Sequence, residues 1–137
     1  MDVRILLGCI AALATLIVLA LVVHLFGSDL ERGLDTALGP LPLADILGVL
    51  LAMGAGGWVA RRPGFRWLAL GLMAAVWLAT LAVLGTFAAP GGPAPMRSIV
   101  AMLQYNALAI VLTLAAAWLG AVLGERAAHR RLQVARD

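Results

Sequence analysis

Four apolar segments, each close to the length that crosses a lipid bilayer, constrain this chain more than any other feature. They cover about residues 5–26, 43–60, 66–88 and 99–124. A bilayer hydrocarbon core of about 30 Å needs roughly 20 apolar residues in a helix. Segments without strand-like alternation must be helical, because helical hydrogen bonds satisfy the backbone inside lipid. The sequence therefore predicts an all-α fold, a four-transmembrane-helix antiparallel bundle, with residues 1–137 as a single membrane domain.

The composition excludes a water-soluble globule. Of the 137 residues, 64% are hydrophobic and 12% are charged, and the mean hydropathy is +1.03. An ordinary soluble domain is about half apolar and a quarter charged. A soluble protein of this length would leave large apolar patches in contact with water. Lipid is therefore the expected solvent for most of these side chains.

The first apolar segment is interpreted as a retained membrane anchor. It is longer than the apolar region of a signal peptide and lacks an A-x-A cleavage site. It also contains Cys9, the one cysteine of the chain, so neither an intrachain disulfide nor a CxxC motif can form.

The arginines predict the orientation of the spans. The chain has no lysine, and its ten arginines lie near the ends of the apolar segments without the aromatic interleaving of a nucleic-acid surface. Two of them, Arg32 and Arg97, fall on one side of the predicted bundle. The other eight fall on the opposite side: Arg4, Arg61, Arg62, Arg66, Arg126, Arg130, Arg131 and Arg136. Because basic loops stay in the cytoplasm, both termini are expected there, and no nucleic-acid partner is expected.

The connections between the spans have different characters. Residues 28–31 have the S-x-x-E form of a capping box, and leucines 30, 34 and 38 follow at helical spacing before Gly39 and Pro40. This pattern predicts a short interfacial helix over about 29–38 on the outer surface. Residues 88–95, rich in proline and glycine, predict an irregular outer loop, and residues 61–64 predict a tight inner turn. After Glu125 the arginine-rich end is expected either to continue the fourth helix or to fray.

Small residues recur at every fourth position on the second and fourth spans. The two rows consist of Ala44, Gly48, Ala52, Gly56 and Ala60 in the second span, and Ala116, Gly120 and Gly124 in the fourth. Small residues let helix backbones approach closely in lipid, where packing drives association. Either these small-residue faces hold the four helices of one chain together, or one of them binds another copy or another protein.

Four polar residues gather near the predicted outer boundary when each span is counted from its inner arginine. They are His24, Asp45, Gln104 and Asn106. They are either ordinary interfacial residues or a candidate outer polar site in which Asp45 pairs with His24 and an amide holds a ligand.

Other polar side chains predict little chemistry. The two histidines, His24 and His129, are placed on opposite sides of the bundle, so a bis-histidine haem is excluded, and no cofactor or metal is expected. The hydroxyls of Thr15, Thr80 and Thr113 are expected to bond to their own helices.

Six aromatic residues match two interfacial belts, whereas Trp77 lies at mid-span and is expected to pack or to face lipid. Three inner arginines, Arg61, Arg62 and Arg66, are candidates to hold anionic lipid headgroups.

Two short patterns resemble a known group of proteins. The first is Gly56-Gly57-Trp58-Val59-Ala60-Arg61-Arg62 together with the Trp67-Leu68-Ala69-Leu70-Gly71 that follows it. The second is the closing segment 119–124. Together they give GG-x-x-A-x-R at the end of the second span and G-x-x-x-G in the fourth, which resembles small uncharacterised four-span bacterial membrane proteins of the YrzE-like kind. The resemblance implies a bacterial inner-membrane location and no particular activity.

These features favour a non-enzymatic accessory or assembly subunit, which associates with membrane lipids and with another membrane protein or itself through small-residue helix faces. The alternatives are a small oligomeric channel or transporter, which needs a polar path, and a membrane enzyme acting on lipid or quinone. His24 with Asp45 is the one candidate acid–base pair for such an enzyme.

Overall fold

A computed structural model describes residues 2–26, 34–36, 39–41, 43–87 and 99–134. Within these residues the chain forms four helices and one small hairpin. The helices are α1 (Val3–Phe26), α2 (Leu43–Ala60), α3 (Phe65–Phe87) and α4 (Ile99–Val134). Each helix contains a stretch long and apolar enough to span a membrane, which confirms the prediction of four apolar helices. The fourth helix continues beyond the predicted span to Val134, which is one of the two alternatives expected for the arginine-rich end.

The predicted interfacial helix over about 29–38 is not confirmed, because part of that segment is a strand. β1 (Leu34–Thr36) pairs antiparallel with β2 (Gly39–Leu41), with Leu34 opposite Leu41 and Thr36 opposite Gly39. The leucine spacing fits a helix, but Pro40 cannot continue a helix and Thr36 is β-branched, which favours a strand. The rest of that segment, residues 29–33 and 37–38, lies outside the described residues, as does the predicted irregular loop.

The tight turn predicted at residues 61–64 is confirmed. Arg61 takes a left-handed conformation with φ of 52°, and its N–H donates to the carbonyl of Gly57 at 3.0 Å. A left-handed residue after the last helical turn is a common way to end a helix, and proline often follows because it cannot continue one. The N–H of Phe65 then donates to the Arg62 carbonyl at 3.0 Å, and α3 begins there.

The helices pack through small residues. Gly8 near the start of α1 lies against Gly56 and Ala60 near the end of α2, so these two helices run in opposite directions. Leu50 and Gly54 of α2 lie against Gly120 and Gly124 of α4, so these two run in the same direction.

The core takes buried side chains from all four helices, although α1 and α3 are otherwise largely exposed. Buried side chains in this core include Ala52, Met53, Ala117 and Ala121, and Phe65 closes it beside the 61–64 turn. On the outer helices, Ile17 of α1 is 68% exposed and Leu78 of α3 is 69% exposed. The many exposed large apolar side chains of α1 and α3 are compatible with lipid as the surrounding solvent.

Contacts between charged and aromatic side chains identify one end of the molecule. The Asp2 carboxylate lies 3.3 Å from Arg62 Nε, which joins the start of α1 to the turn after α2. The guanidinium of Arg131, near the end of α4, lies over the Trp58 ring of α2 at 5.8 Å from its centroid. This end, defined by Asp2, the 61–64 turn and Arg131, is called the arginine end.

Candidate ligand-binding cavity

A cavity of about 590 Å³ lies between all four helices, toward the end opposite the arginine end. Its lining comes from residues within 16–24 of α1, 44–49 of α2 and 73–80 of α3, and from Thr113 of α4. We call it the four-helix cavity. Sites for small molecules usually measure about 300–1,000 Å³, with mostly apolar walls and a few converging polar groups. The size and the lining of the four-helix cavity fit this description.

Two of the predicted polar residues, His24 and Asp45, line the cavity at its rim. His24 lies in the last turn of α1 and Asp45 in the first turn of α2. Because α1 and α2 run in opposite directions, these two turns share one end of the molecule. A carboxylate in a first turn is favoured by the helix dipole. Both side chains are exposed, so the rim carries an acid and an imidazole next to an apolar interior.

A hydrogen bond between two side chains forms part of the cavity wall. The indole N–H of Trp77 on α3 donates to the hydroxyl of Thr113 on α4 at 2.8 Å. The Thr113 hydroxyl in turn donates to its own helix, 2.7 Å from the Ala109 carbonyl and 3.1 Å from that of Ile110. Thr113 is 2% exposed and Trp77 is partly buried, so the acceptor of this bond is the more protected partner.

The sequence interpretation missed this link although it contained a signal for it. An indole N–H at mid-span has no water to bond to, so it must find an acceptor on a neighbouring helix. The prediction that the threonine hydroxyls bond to their own helices is confirmed, since Thr15 donates to the Ala11 carbonyl at 2.8 Å and Thr80 to that of Val76 at 2.9 Å. A hydroxyl used in this way keeps a lone pair, and at Thr113 that lone pair accepts the indole proton.

The small-residue face of α2 has two different surroundings along its length. Ala44 and Gly48 line the four-helix cavity, and a Cβ added at Gly48 would meet no atom within 4 Å. Ala52, Gly56 and Ala60 are buried in helix contacts. A Cβ at Gly56 would lie 2.8 Å from the Gly8 carbonyl oxygen.

The small-residue face of α4 lies against α2 at Gly120 and Gly124. Ala116, Gly120 and Gly124 are all buried. A Cβ at Gly120 would collide with the Leu50 carbonyl oxygen, and one at Gly124 with that of Gly54. The structure therefore places this face, and three of the five residues of the α2 face, in contacts within the chain.

The two predicted amides, Gln104 and Asn106, do not line the cavity. Gln104 is exposed, and the Asn106 amide donates to the Met102 carbonyl of its own helix at 2.9 Å. Of the four residues of the candidate outer polar site, His24 and Asp45 line the cavity and the two amides do not.

The three arginines predicted to hold lipid headgroups have distinct surroundings. Arg61 is exposed, and Arg62 makes the ion pair with Asp2 described above. Arg66 is partly buried, and its Nε has no hydrogen-bond acceptor among the described residues.

No protein-family model matches the chain, and neither a curated protein nor a solved structure does. The resemblance to YrzE-like proteins therefore stays a prediction. Within the described part of the chain, no group of three or more His, Cys, Asp and Glu residues could hold a metal ion.

Proposed function

We propose that this protein is a non-enzymatic integral membrane protein that takes one amphipathic molecule from the bilayer into the four-helix cavity. The observation that carries the proposal is the lining of the cavity, whose walls are apolar while His24 and Asp45 lie at its rim. A hydrocarbon chain would lie along the walls, and its polar head would reach the rim. Because a carboxylate accepts hydrogen bonds, the expected head carries a donor, such as a hydroxyl or an amine.

The same protein is proposed to act as an accessory or assembly subunit that contacts another membrane protein or a second copy. The small-residue faces of α2 and α4 are occupied by contacts within the chain, apart from Ala44 and Gly48. A partner would therefore contact α1 and α3, which keep exposed apolar side chains such as Ile17 and Leu78.

We place the protein in a bacterial inner membrane, as an antiparallel four-span bundle with both termini in the cytoplasm. The arginine end supports this orientation, because it gathers the start of α1, the 61–64 turn and the end of α4. A channel has less support, because it needs a polar path through the bilayer. Among the described residues the buried polar side chain is Thr113, and it is hydrogen-bonded to Trp77 of a neighbouring helix.

A brominated long-chain alcohol, bromododecanol, tests the cavity directly. Bromine quenches tryptophan fluorescence on contact, and Trp77 lies in the cavity wall. With the full chain in lipid nanodiscs, we expect saturable quenching that Trp77→Phe removes. Gly48→Leu places a side chain in open cavity space and should weaken the saturable quenching more than tenfold, because losing even a few methylene contacts costs about 1.4 kcal/mol or more.

Gly71→Leu is the matched control for Gly48→Leu. Gly71 also has no atom within 4 Å of an added Cβ, but it is exposed on α3 and does not line the cavity. It should therefore bind bromododecanol like the unmodified protein. Equal saturable quenching in the unmodified protein and Gly48→Leu would contradict the proposed function.

A further inference from the structure

An open groove of about 480 Å³ runs along the outside of the contact between α2 and α4, separate from the four-helix cavity. Its base is formed by glycines and its sides by larger residues. The residues used below are Gly54, Gly120, Gly124, Leu51, Leu123 and Trp58. Because the glycines bring the two backbones together, no side chain fills the space between the flanking leucines and the indole. We call this the α2–α4 groove.

One charged residue, Arg131, lies at the end of this apolar groove. Its guanidinium lies over the Trp58 ring at 5.8 Å from the centroid, a distance at which a cation–π interaction holds the cation over the aromatic face. The groove starts at Leu50 and Leu51, near the middle of α2, and follows α4 from Gly120 to Arg131, which is roughly 16 Å of helix. It therefore leads from the interior of the span to the arginine end.

We propose that the α2–α4 groove binds one acyl chain of an anionic phospholipid, whose phosphate is held by Arg131. An apolar track that ends in a guanidinium matches a hydrocarbon chain that ends in a phosphate. A guanidinium can also donate two parallel hydrogen bonds to phosphate oxygens. Lipid tails are as apolar as leucine, so the tail gains little by leaving bulk lipid. The preference for this lipid then comes from its headgroup charge, and it should weaken in high salt.

Native mass spectrometry of the full chain tests this site. The detergent-purified protein is mixed with equal amounts of phosphatidylglycerol and phosphatidylcholine of identical chain length. We expect one retained phosphatidylglycerol in preference to phosphatidylcholine. Arg131→Gln should lower that preference about fivefold, the effect of losing one arginine near the headgroups. Added inorganic phosphate should leave the bound lipid in place, because a free anion lacks the chain that fills the groove.

Two variants separate this site from general attraction to a basic surface. Arg130→Gln removes an equal charge from an exposed neighbour that does not line the groove, so the preference should persist. Ala127→Leu narrows the groove and keeps Arg131, so it should also lower lipid retention. Equal losses in Arg130→Gln and Arg131→Gln, or no preference for phosphatidylglycerol, would overturn the proposal. Displacement of the bound lipid by inorganic phosphate would also overturn it, as would a dimer of the chain that retains no lipid.

Discussion

At the scale of single residues, three glycines determine how closely α2 and α4 approach. A Cβ added at Gly57, Gly120 or Gly124 would collide with a carbonyl oxygen of the opposite helix. Those oxygens belong to the backbone and cannot move aside as the end of a flexible side chain would. Close backbone approach between helices is stabilised by dispersion contacts, which matter most where lipid removes the hydrophobic driving force.

Gly124→Ala should therefore destabilise the protein by about 1–3 kcal/mol, the usual cost of forcing an extra carbon into a packed interior. Gly71→Ala is the matched control, since a Cβ at Gly71 would meet no atom within 4 Å. It should be neutral, or stabilising by up to about 1 kcal/mol, because alanine is the better helix former. The free energy of unfolding in mixed detergent micelles measures both. A harmless Gly124→Ala would mean that α2 and α4 are not in backbone contact.

At the scale of elements, α3 lacks the close glycine contacts that join α2 to α4. A hydrogen bond between Trp77 and Thr113 joins it to α4 instead. Gly71 and Gly85 of α3 have no neighbouring atom near the position of a Cβ, so they do not mediate close approach. The hydrogen bond at 2.8 Å joins α3 to α4 between positions 36 residues apart in the chain. It therefore contributes to the placement of the wall that α3 forms in the four-helix cavity.

A double-mutant cycle of Trp77→Phe and Thr113→Val should give a coupling energy of about 0.5–1.5 kcal/mol, the range for hydrogen bonds between membrane helices. Thr113→Val alone removes the acceptor and leaves the indole N–H unpaired. Thr15→Val is the control, because the Thr15 hydroxyl also bonds to its own helix but is not the acceptor of the Trp77 indole. Its cycle with Trp77→Phe should show coupling near zero. Coupling of equal size in both cycles would argue against the bond.

The sequence predicted the helices well and their mutual contacts only in part. Span limits follow from local hydrophobic length, so the starts and ends of α1, α2 and α3 are close to the expected ones. The spacing of small residues cannot show which neighbour a helix face meets, so it groups Ala44 and Gly48 with the packing residues although they line the cavity. The hairpin at Leu34–Leu41 was missed because leucines at every fourth position also fit a helix.

At the scale of the whole molecule, the distribution of charge separates the two ends. The arginine end brings together the start of α1, the 61–64 turn and the end of α4, while His24 and Asp45 lie at the opposite end. Insertion into a membrane retains basic segments on the cytoplasmic side. Arg62 and Arg131 therefore lie at one end of the described residues, as the orientation proposal requires.

A fluorescent protein that matures only in the cytoplasm, fused after Asp137, should fluoresce in a bacterial host. The same reporter inserted within residues 88–95 should stay dark, because that loop is expected on the outer side. Replacing Arg61, Arg62 and Arg66 by glutamine should reduce the fraction of correctly oriented molecules, since it removes the charges of the inner turn. A dark C-terminal fusion that is stably expressed would show the opposite orientation.

The backbone contact between α2 and α4 also has a consequence for motion. Where a carbonyl oxygen of the opposite helix lies in the place that a Cβ would take, weak Cα–H···O interactions can form, and sliding one helix along the other would bring atoms into collision. We therefore expect these two helices to move together as one unit. Gly8 of α1 and Gly56 of α2 approach each other in the same way, whereas Gly71 and Gly85 of α3 have no such neighbour, so we expect any widening that admits a guest between the helices to come from α3.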